Sequence, residues 1–488
     1  MQKKQEKGVE ITYKKLPVVS NIQEAIECKA VLHEDHPDNI VSTTCVQKGN
    51  VEEGFKSSEI IIEKDFSTQA VDHAYLETEA GISYCDPDGT IVVKSCDQDI
   101  THHRVLLAKI LGMPINKVRV IMSPVGGGFG GKEDMIYQAI LAIATLKTNQ
   151  PVKLVFSRED SMIGSCKRHP VTMHYKIGLK SDGKIQAVKA EIRSDEGHTA
   201  SQPKETVAKS AICGAGPYQI ENVKVTATGY YTNNTPSGAM RTFGVLQPTF
   251  AIESLMDICS EKLGIDPIEL RMINGMKDGA VTHTRQVLGK VAYTETLKKC
   301  SEIAGWEVGS SRVRGSVRKD IKGSQIAEPY IPGKEFKSEE AMKLCRDRFK
   351  YGRGVGTGWY GIGRCATIDK AGAFVEIDDG GTAMILTGVS EIGEGILTVL
   401  TQIAADELGM YPEDITIGDN DTARVPEAAH VGASRQTYMI GNAVCNACRD
   451  VKKKFIREMA AYWNIDSSSI CMKNRRIYVE GNAQYNLS

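Results

Sequence analysis

A run of glycines constrains this chain more than any other feature. Five of the six residues from Gly126 to Gly131 are glycine, within the string VGGGFGGKE that ends at Glu133. The flanking patterns predict a strand over Val118–Met122 before the run and a helix over Met135–Leu146 after it. Backbone amides without Cβ cover, placed at a helix N-terminus, form a cradle for an anion. The segment therefore predicts a loop that binds a phosphate, pyrophosphate or oxo group.

Two nucleotide-binding motifs fit this loop in part. Gly126, Gly131 and Lys132 have the Walker A spacing, but Glu133 stands where a Mg²⁺-binding Ser or Thr is required, which disfavours an NTPase. The same glycines satisfy the dinucleotide fingerprint, and a strand predicted over Val152–Phe156 could carry a ribose-binding acid. A nucleotide-dependent dehydrogenase therefore remains an alternative, as does a glycine turn needed only for packing.

Composition excludes several classes of protein. The 488 residues allow about one to four domains, and 60 Lys and Arg against 61 Asp and Glu give a net charge of −1. This balance disfavours a nucleic-acid binder and a polybasic membrane-surface protein. The N-terminus lacks the pattern of a signal peptide, and no apolar run is long enough to span a membrane. The 13 cysteines are scattered and odd in number, which disfavours a disulfide framework. We expect a cytoplasmic protein with no nucleic-acid or membrane partner.

The hydrophobic patterning predicts a mixed α/β fold. Asp-Gly and Gly-Gly turns predict β-hairpins over Ile82–Lys94, His174–Ile192 and Ala373–Leu386. Further helices are predicted over Thr101–Leu111, Phe250–Leu263, Leu397–Leu408 and Gln436–Trp463. Because each half contains a hairpin followed by a glycine loop that opens a helix, we predict two similar α/β domains.

Six short motifs together carry a specific resemblance. They are HAYLE (73–77), VGGGFGGKE (125–133), PSGAMRTFG (236–244), LGIDPIELR (263–271), GEG (393–395) and GAS (432–434). In this order, and over almost the whole chain, they resemble the molybdenum-binding large subunit of the xanthine dehydrogenase and aldehyde oxidase family.

The resemblance implies a domain organisation. Residues 1–18 would be the tail of the family's N-terminal hammerhead domain, and 19–305 the first molybdopterin-binding domain. Residues 306–350 would form a charged linker, and 351–488 an incomplete second molybdopterin-binding domain.

It also implies an activity, that of a molybdenum hydroxylase subunit that oxidises an N-heterocycle with oxygen from water. A purine such as xanthine or hypoxanthine is the first expectation, and a nicotinate- or aldehyde-oxidising member is the alternative. The implied cofactor is molybdopterin, in its cytosine dinucleotide form, with molybdenum. No cysteine spacing here is that of a ferredoxin, so [2Fe–2S] and FAD would lie on an iron–sulfur subunit and an FAD subunit. Cys445 and Cys448 share one face of a predicted helix and are interpreted as packing.

Several site residues follow from the resemblance, residue by residue. Gln98 would donate its amide to the metal oxo group, and Glu133 would hydrogen-bond the heterocycle. Arg241 would orient substrate or stabilise negative charge. A loop of Gly128, Phe129 and Gly130 would lie against the metal and substrate.

The second half would supply the remaining cofactor contacts. These are Glu394 and the small residues Ala433 and Ser434, whose backbone would pack on the cofactor. The neighbours of molybdenum, which the pterin itself ligates, would be Gln98, Phe129, Arg241 and Ala433. Lys209 falls near the position of a second substrate-side arginine of the family, in a part of the chain where the correspondence with the family is loose.

The chain also departs from the family pattern. Glu394 replaces the glutamine of a Gly-Gln-Gly element, and a carboxylate there would repel an anionic pterin unless it is protonated or paired. Thr242 replaces a glycine. We find no counterpart of the family's catalytic glutamate after Ser434. We therefore expect the isolated chain to be inactive, with a further chain completing the site, or else a non-catalytic remnant.

Overall fold

The computed structural model describes residues 12–306, 308, 353–365 and 368–487. Most of the predicted N-terminal tail and nearly all of the predicted linker therefore lie outside the described residues. The helices are α1 (Ile22–Ile26), α2 (Val51–Lys56), α3 (Ile100–Leu111), α4 (Gln138–Thr148), α5 (Arg158–Gly164), α6 (Pro203–Cys213), α7 (Leu246–Leu263), α8 (Pro267–Asn274), α9 (Tyr293–Ile303), α10 (Ile396–Leu408) and α11 (Gly441–Trp463).

Within the described residues, the strands form four sheets. They are β1 (Ile40–Lys48), β2 (Ile60–Thr68), β3 (Ala80–Cys85), β4 (Ile91–Ser95), β5 (Val118–Met122), β6 (Val152–Val155), β7 (Val171–Leu179), β8 (Ile185–Gly197), β9 (Asn222–Tyr231), β10 (Phe374–Ile377), β11 (Ala383–Leu386), β12 (Ile415–Ile417), β13 (Ile470–Lys473), β14 (Arg476–Val479) and β15 (Asn482–Leu487). Their orders are β1-β9-β8-β7-β2, β5-β4-β3-β6, β10-β11-β12 and β13-β14-β15. These mixed sheets confirm the predicted fold class.

The five-stranded sheet forms the largest core. Its strands alternate buried and outward residues, and Tyr175, Ile177 and Val225 are fully buried. Helices α6 and α7 pack on the same core through residues such as Ala211 and Leu255. This packing places α6 at the edge of the cavity described below.

The smaller sheets of the two halves repeat one topology. In the first half, β3 and β4 form an antiparallel hairpin, and α3 then leads to β5, which pairs parallel with β4. In the second half, β10 and β11 form the hairpin, and α10 leads to β12, parallel with β11. This repeat confirms that the halves are similar.

The repeat is also visible in the amino-acid sequence. The string LGM occurs at the end of α3 (residues 111–113) and again at the end of α10 (residues 408–410). Its glycines, Gly112 and Gly409, both have left-handed backbones, with φ of 63° and 72°. Each ends its helix and directs the chain toward the parallel strand, which is a common use of glycine at this position.

All three predicted hairpins are confirmed, and α3 and α10 begin within one residue of the prediction. Helix α7 begins at Leu246, earlier than predicted, because Pro248 falls in its first turn, where no N–H is needed. The predicted helix over Gln436–Trp463 starts with a π-helical turn, Gln436–Ile440.

The helix predicted directly after the glycine loop is wrong in its start. Helix α4 begins only at Gln138, because the side-chain oxygen of Gln138 accepts the N–H groups of Ile136 and Tyr137. The glycine loop therefore does not lie at a helix N-terminus.

The halves meet along β5. Met122 donates its N–H to the carbonyl of Asn420 at 3.0 Å, and Arg119 pairs with Asp421 at 2.5 Å. This junction brings the loop after β4 next to residues 430–434. Within the described ranges, no helix combines the length and apolar character needed to cross a membrane.

Candidate cofactor cavity

A cavity of about 810 Å³ lies between the two halves. This volume is within the range of about 300–1,000 Å³ that is typical of small-molecule sites. Of the predicted site residues, it is lined by Gln98, Phe129, Gly130, Glu133, Arg241, Glu394, Ala433 and Ser434. Gly128 lies behind this wall, against Gln98. The structure thus brings together residues from both halves of the chain.

Gln98 lies between β4 and α3 and is 1% exposed. Its Oε1 accepts the N–H groups of Gly130 and Lys132, at 3.1 and 3.2 Å. Its Nε2 donates to the carbonyl of Val431 at 3.1 Å. These contacts fix the orientation of the amide. The second amide hydrogen remains available to a group in the cavity.

The glycine loop is held by protein groups. A Cβ at Gly128 would lie 2.4 Å from Oε1 of Gln98, and one at Gly130 would lie 2.6 Å from the carbonyl oxygen of Ala239. The N–H of Gly126 donates to Glu77 at 2.7 Å. The N–H groups of Gly130 and Gly131 also have protein partners, and no helix begins at the loop. The loop is therefore not the helix-N-terminal cradle that was predicted.

Phe129 and Arg241 are joined through their backbones. The N–H of Arg241 donates to the carbonyl of Phe129 at 2.8 Å. Phe129 has a φ of 54° and remains 44% exposed, so its ring is available to a planar ligand. The Arg241 guanidinium is exposed, and the described part of the chain offers it no hydrogen-bond acceptor. The next residue, Thr242, has a φ of 82°, a strained value for a β-branched residue.

Glu133 is 5% exposed and lies before the first residue of α4, so its carboxyl is not part of a helix. Burial raises its pKa to about 8, although a hydrogen bond from Gln202 to Oε1 at 2.8 Å opposes this. The neutral acid therefore predominates at pH 7. Since Oε1 accepts from Gln202, the proton of the acid lies on Oε2.

His430 and Arg364 stand beside Glu133, and sequence reasoning missed both. The Nη2 of Arg364 donates to Nδ1 of His430 at 2.8 Å, and Nε2 of His430 is 3.6 Å from Oε1 of Glu133. Burial and the nearby Arg364 and Arg435 lower the pKa of His430 to about 3. The imidazole is therefore neutral throughout the physiological range.

Lys209 lies on α6 and is 5% exposed. Its Nζ donates to the hydroxyl of Tyr360 at 2.8 Å and to the carbonyl of Gly363 at 3.1 Å. Within the described residues, no carboxylate lies within 4.0 Å of this ammonium group. Burial accordingly lowers the pKa of Lys209.

Glu394, which departs from the family pattern, is paired with a second acid. Burial raises the pKa of Glu394, whose carboxyl accepts the N–H of Ile392 at 2.8 Å. Burial would also raise the pKa of Glu391, but N–H groups of Gly395, Gly393 and Leu397 outweigh it and lower that pKa. Of the two carboxyls, Glu394 is therefore the one that keeps its proton to the higher pH. The expected repulsion of an anionic ligand does not arise while Glu394 keeps its proton.

Two repeated α/β halves that enclose a deep cavity, walled by a glycine loop and a small-residue segment, define a cofactor-binding protein. Residues 32–275 and 331–487 each match a family described as "Molybdopterin cofactor-binding domain". The chain belongs to the molybdopterin-binding large subunits of the xanthine dehydrogenase and aldehyde oxidoreductase family.

Individual relatives agree with this assignment. The chain is 32% identical, over 93% of its length and 57% of the relative's, to a probable xanthine dehydrogenase subunit of Bacillus subtilis. It is 38% identical over 63% of its length to the nicotinate dehydrogenase large molybdopterin subunit of Eubacterium barkeri, covering 72% of that protein. The fold matches quinoline 2-oxidoreductase from Pseudomonas putida 86 with a TM-score of 0.83 and 22% identity, over 98% of this chain and 59% of that one. The chain thus spans little more than half of several of the proteins it matches.

Proposed function

We propose that this chain is the molybdopterin-binding part of a hydroxylase that oxidises an N-heterocycle. The observation that carries the proposal is that residues expected to frame the cofactor, from Gln98 to Ser434, line one cavity. A purine such as hypoxanthine or xanthine is the first candidate substrate.

The cavity wall fits a bulky, planar and anionic cofactor. Gly393 lines the cavity, and a Cβ at this position would meet no atom within 4 Å, so a ligand can approach its backbone closely. Ala433 and Ser434 present small side chains, and Arg241 presents a guanidinium. When bound, molybdopterin with molybdenum would supply the two-electron redox chemistry of the hydroxylation.

The chain's own residues would hold and orient the reactants. Gln98 would offer its second amide hydrogen to the cofactor, and Phe129 would offer its ring to the heterocycle. Glu133 donates from Oε2 to a substrate acceptor. Arg241 stabilises negative charge that develops on the substrate.

A nicotinate hydroxylase is the second candidate, and Lys209 favours it. A buried ammonium without a carboxylate partner is costly, and a substrate carboxylate would relieve that cost. The 38% identity to a subunit of nicotinate dehydrogenase supports the same candidate.

The remaining parts of the proposal concern partners. We propose the cytosine dinucleotide form of the cofactor, electron transfer to an iron–sulfur subunit and an FAD subunit, and a cytoplasmic location. We further propose that a residue outside these 488 supplies the general base, and without it we expect no steady turnover.

The experiment is to measure molybdenum and pterin in the chain, purified from a host that makes the cofactor. Near-stoichiometric metal is expected, with less in Arg241→Met and no change in the control Arg457→Met, which alters an exposed arginine on α11. Absence of metal and pterin, together with NAD binding, would favour the nucleotide-dependent dehydrogenase. Absence of all three would favour a non-catalytic remnant.

A further inference from the structure

The contact between Arg364 and His430 determines which ring nitrogen of His430 carries the proton. The guanidinium is always a donor, so Nδ1, 2.8 Å from Nη2 of Arg364, must accept. In a neutral imidazole the proton then lies on Nε2. That nitrogen lies 3.6 Å from Oε1 of Glu133, which is beyond ordinary hydrogen-bond distance. His430 also lines the cavity.

Glu133 presents a second donor beside the first. Its Oε1 accepts from Gln202, so the neutral acid carries its proton on Oε2. His430 and Glu133 therefore form two adjacent donors, one N–H and one O–H. A ligand group that only accepts hydrogen bonds, such as a carboxylate or carbonyl, complements both of them. A ring N–H or an amide NH₂ would meet donors and leave them unpaired.

We propose that Arg364 locks His430 as the Nε2–H tautomer, and that His430 with Glu133 selects the substrate by an acceptor-only group, of which a carboxylate is the best fit. This inference rests on the proposed function, because it concerns the heterocyclic substrate of the same cavity. It makes His430 a specificity-determining residue and Arg364 a positioning residue.

The surrounding charges support a neutral His430. Arg364 faces its ring, and Arg435 donates to its backbone carbonyl at 3.4 Å. Glu133 faces Nε2, whereas Asp369 binds Nε of Arg435 at 2.7 Å, and Glu205 is a further nearby acid. Two guanidinium groups close to one imidazole disfavour its protonation.

The tautomer is tested by NMR of the chain labelled with ¹⁵N-histidine, with His430→Gln identifying the signal. We expect the Nε2–H form without titration between pH 5 and 8. In Arg364→Met the loss of one cation should raise the pKa of His430 and mix the tautomers. An Nδ1–H form or an imidazolium in the unaltered chain would overturn the lock.

Selection is tested by equilibrium dialysis with nicotinate and nicotinamide, which differ in one acceptor-only group. We expect nicotinate to bind more tightly, and His430→Leu to weaken nicotinate about tenfold. His430→Gln, which keeps a side-chain N–H donor, should stay within about threefold. The control His174→Leu changes a half-buried histidine on β7 that does not line the cavity, and it should have no effect.

Equal binding of the two probes, equal binding by His430→Leu, or no binding of either probe would overturn the selection. These outcomes are separable from failure of the proposed function. A chain that holds molybdenum but binds both probes equally loses only this inference. A chain without molybdenum whose nicotinate binding depends on His430 loses only the proposed function.

Discussion

Gln98 and Val431 lie 333 residues apart in the chain and bond to each other twice. The carbonyl of Gln98 accepts the N–H of Val431 at 3.0 Å, and its side-chain Nε2 donates back to the carbonyl of Val431 at 3.1 Å. Gln98 thereby connects the loop after β4 to the segment that precedes Ala433 and Ser434. The wall of the cavity depends on this contact.

Replacing Gln98 with alanine should destabilise the junction of the halves. The change leaves the carbonyl of Val431 and the N–H groups of Gly130 and Lys132 without their partner, at a cost of about 2–4 kcal/mol in the free energy of unfolding. The midpoint of urea unfolding measures this. Gln23→Ala, on the exposed face of α1, is the control and should change stability by less than about 0.5 kcal/mol. Equal midpoints for the two variants would contradict the role of Gln98.

His103 should make the stability of the protein depend on pH. Its Nδ1 donates to Asp97 at 2.6 Å and its Nε2 to the carbonyl of Glu133 at 2.9 Å, so both nitrogens are protonated. Burial alone would lower the pKa of His103, but the charge of Asp97 and the hydrogen bond to it outweigh burial and raise that pKa from 6.5 to about 9.

Because the folded pKa of His103 is the higher one, its stabilisation is complete below pH 6.5 and is lost as the pH rises to about 9. The loss is on the order of 3 kcal/mol. Chemical unfolding from pH 6 to 9 measures it. His103→Gln should be less stable at pH 6 and should show a flatter profile, whereas the exposed neighbour His102→Gln should keep the slope. A steep profile in His103→Gln would assign the dependence to another group.

Much of the fold could be predicted because its signals are local. The Asp-Gly turns and alternating strands of the hairpins, and the periodicity of α3 and α10, each lie within a few residues. The start of α4 could not be predicted, since it depends on the side chain of Gln138 accepting two N–H groups in place of helix formation.

The site was only partly predictable. Glu133, Arg241 and Ser434 belong to motifs that can be read from the sequence, and all three line the cavity. His430 and Arg364 belong to no motif, and their roles arise only because the fold brings His430 next to both Arg364 and Glu133. Only a tertiary contact of this kind reveals a locked tautomer.

Neutralising Glu394 and neutralising Glu391 should change the stability of the protein in opposite directions. The pKa of Glu394 is raised in the folded chain, so stability is present below pH 4.5 and falls as the pH rises through the folded pKa. Glu394→Gln removes that loss and should raise the thermal unfolding midpoint at pH 8 more than at pH 5.

Glu391→Gln is the matched comparison for this pair. In the unaltered chain the Glu391 carboxylate accepts the N–H groups of Gly393 and Gly395, at 2.7 and 3.0 Å. The neutral amide of the variant replaces these charge-assisted bonds with weaker ones. We expect this variant to lose about 1.5–3 kcal/mol of stability at pH 8. Equal destabilisation of the two variants would contradict a raised pKa at Glu394.

Gly130 should be indispensable for cofactor binding. Its φ of 103° is unfavourable for any L side chain, and a Cβ there would lie 2.6 Å from the carbonyl oxygen of Ala239. Gly130→Ala must therefore push the glycine loop away from residues 239–241 and displace both Phe129 and Arg241. We expect molybdenum and pterin to fall to a small fraction of the level in the unaltered chain.

Gly89→Ala is the control for Gly130→Ala. Gly89 has a φ of 80°, but no atom lies within 4 Å of its Cβ position. This variant should therefore lose about 1 kcal/mol of stability and keep its metal. Full metal content in Gly130→Ala would show that the cofactor does not depend on this loop.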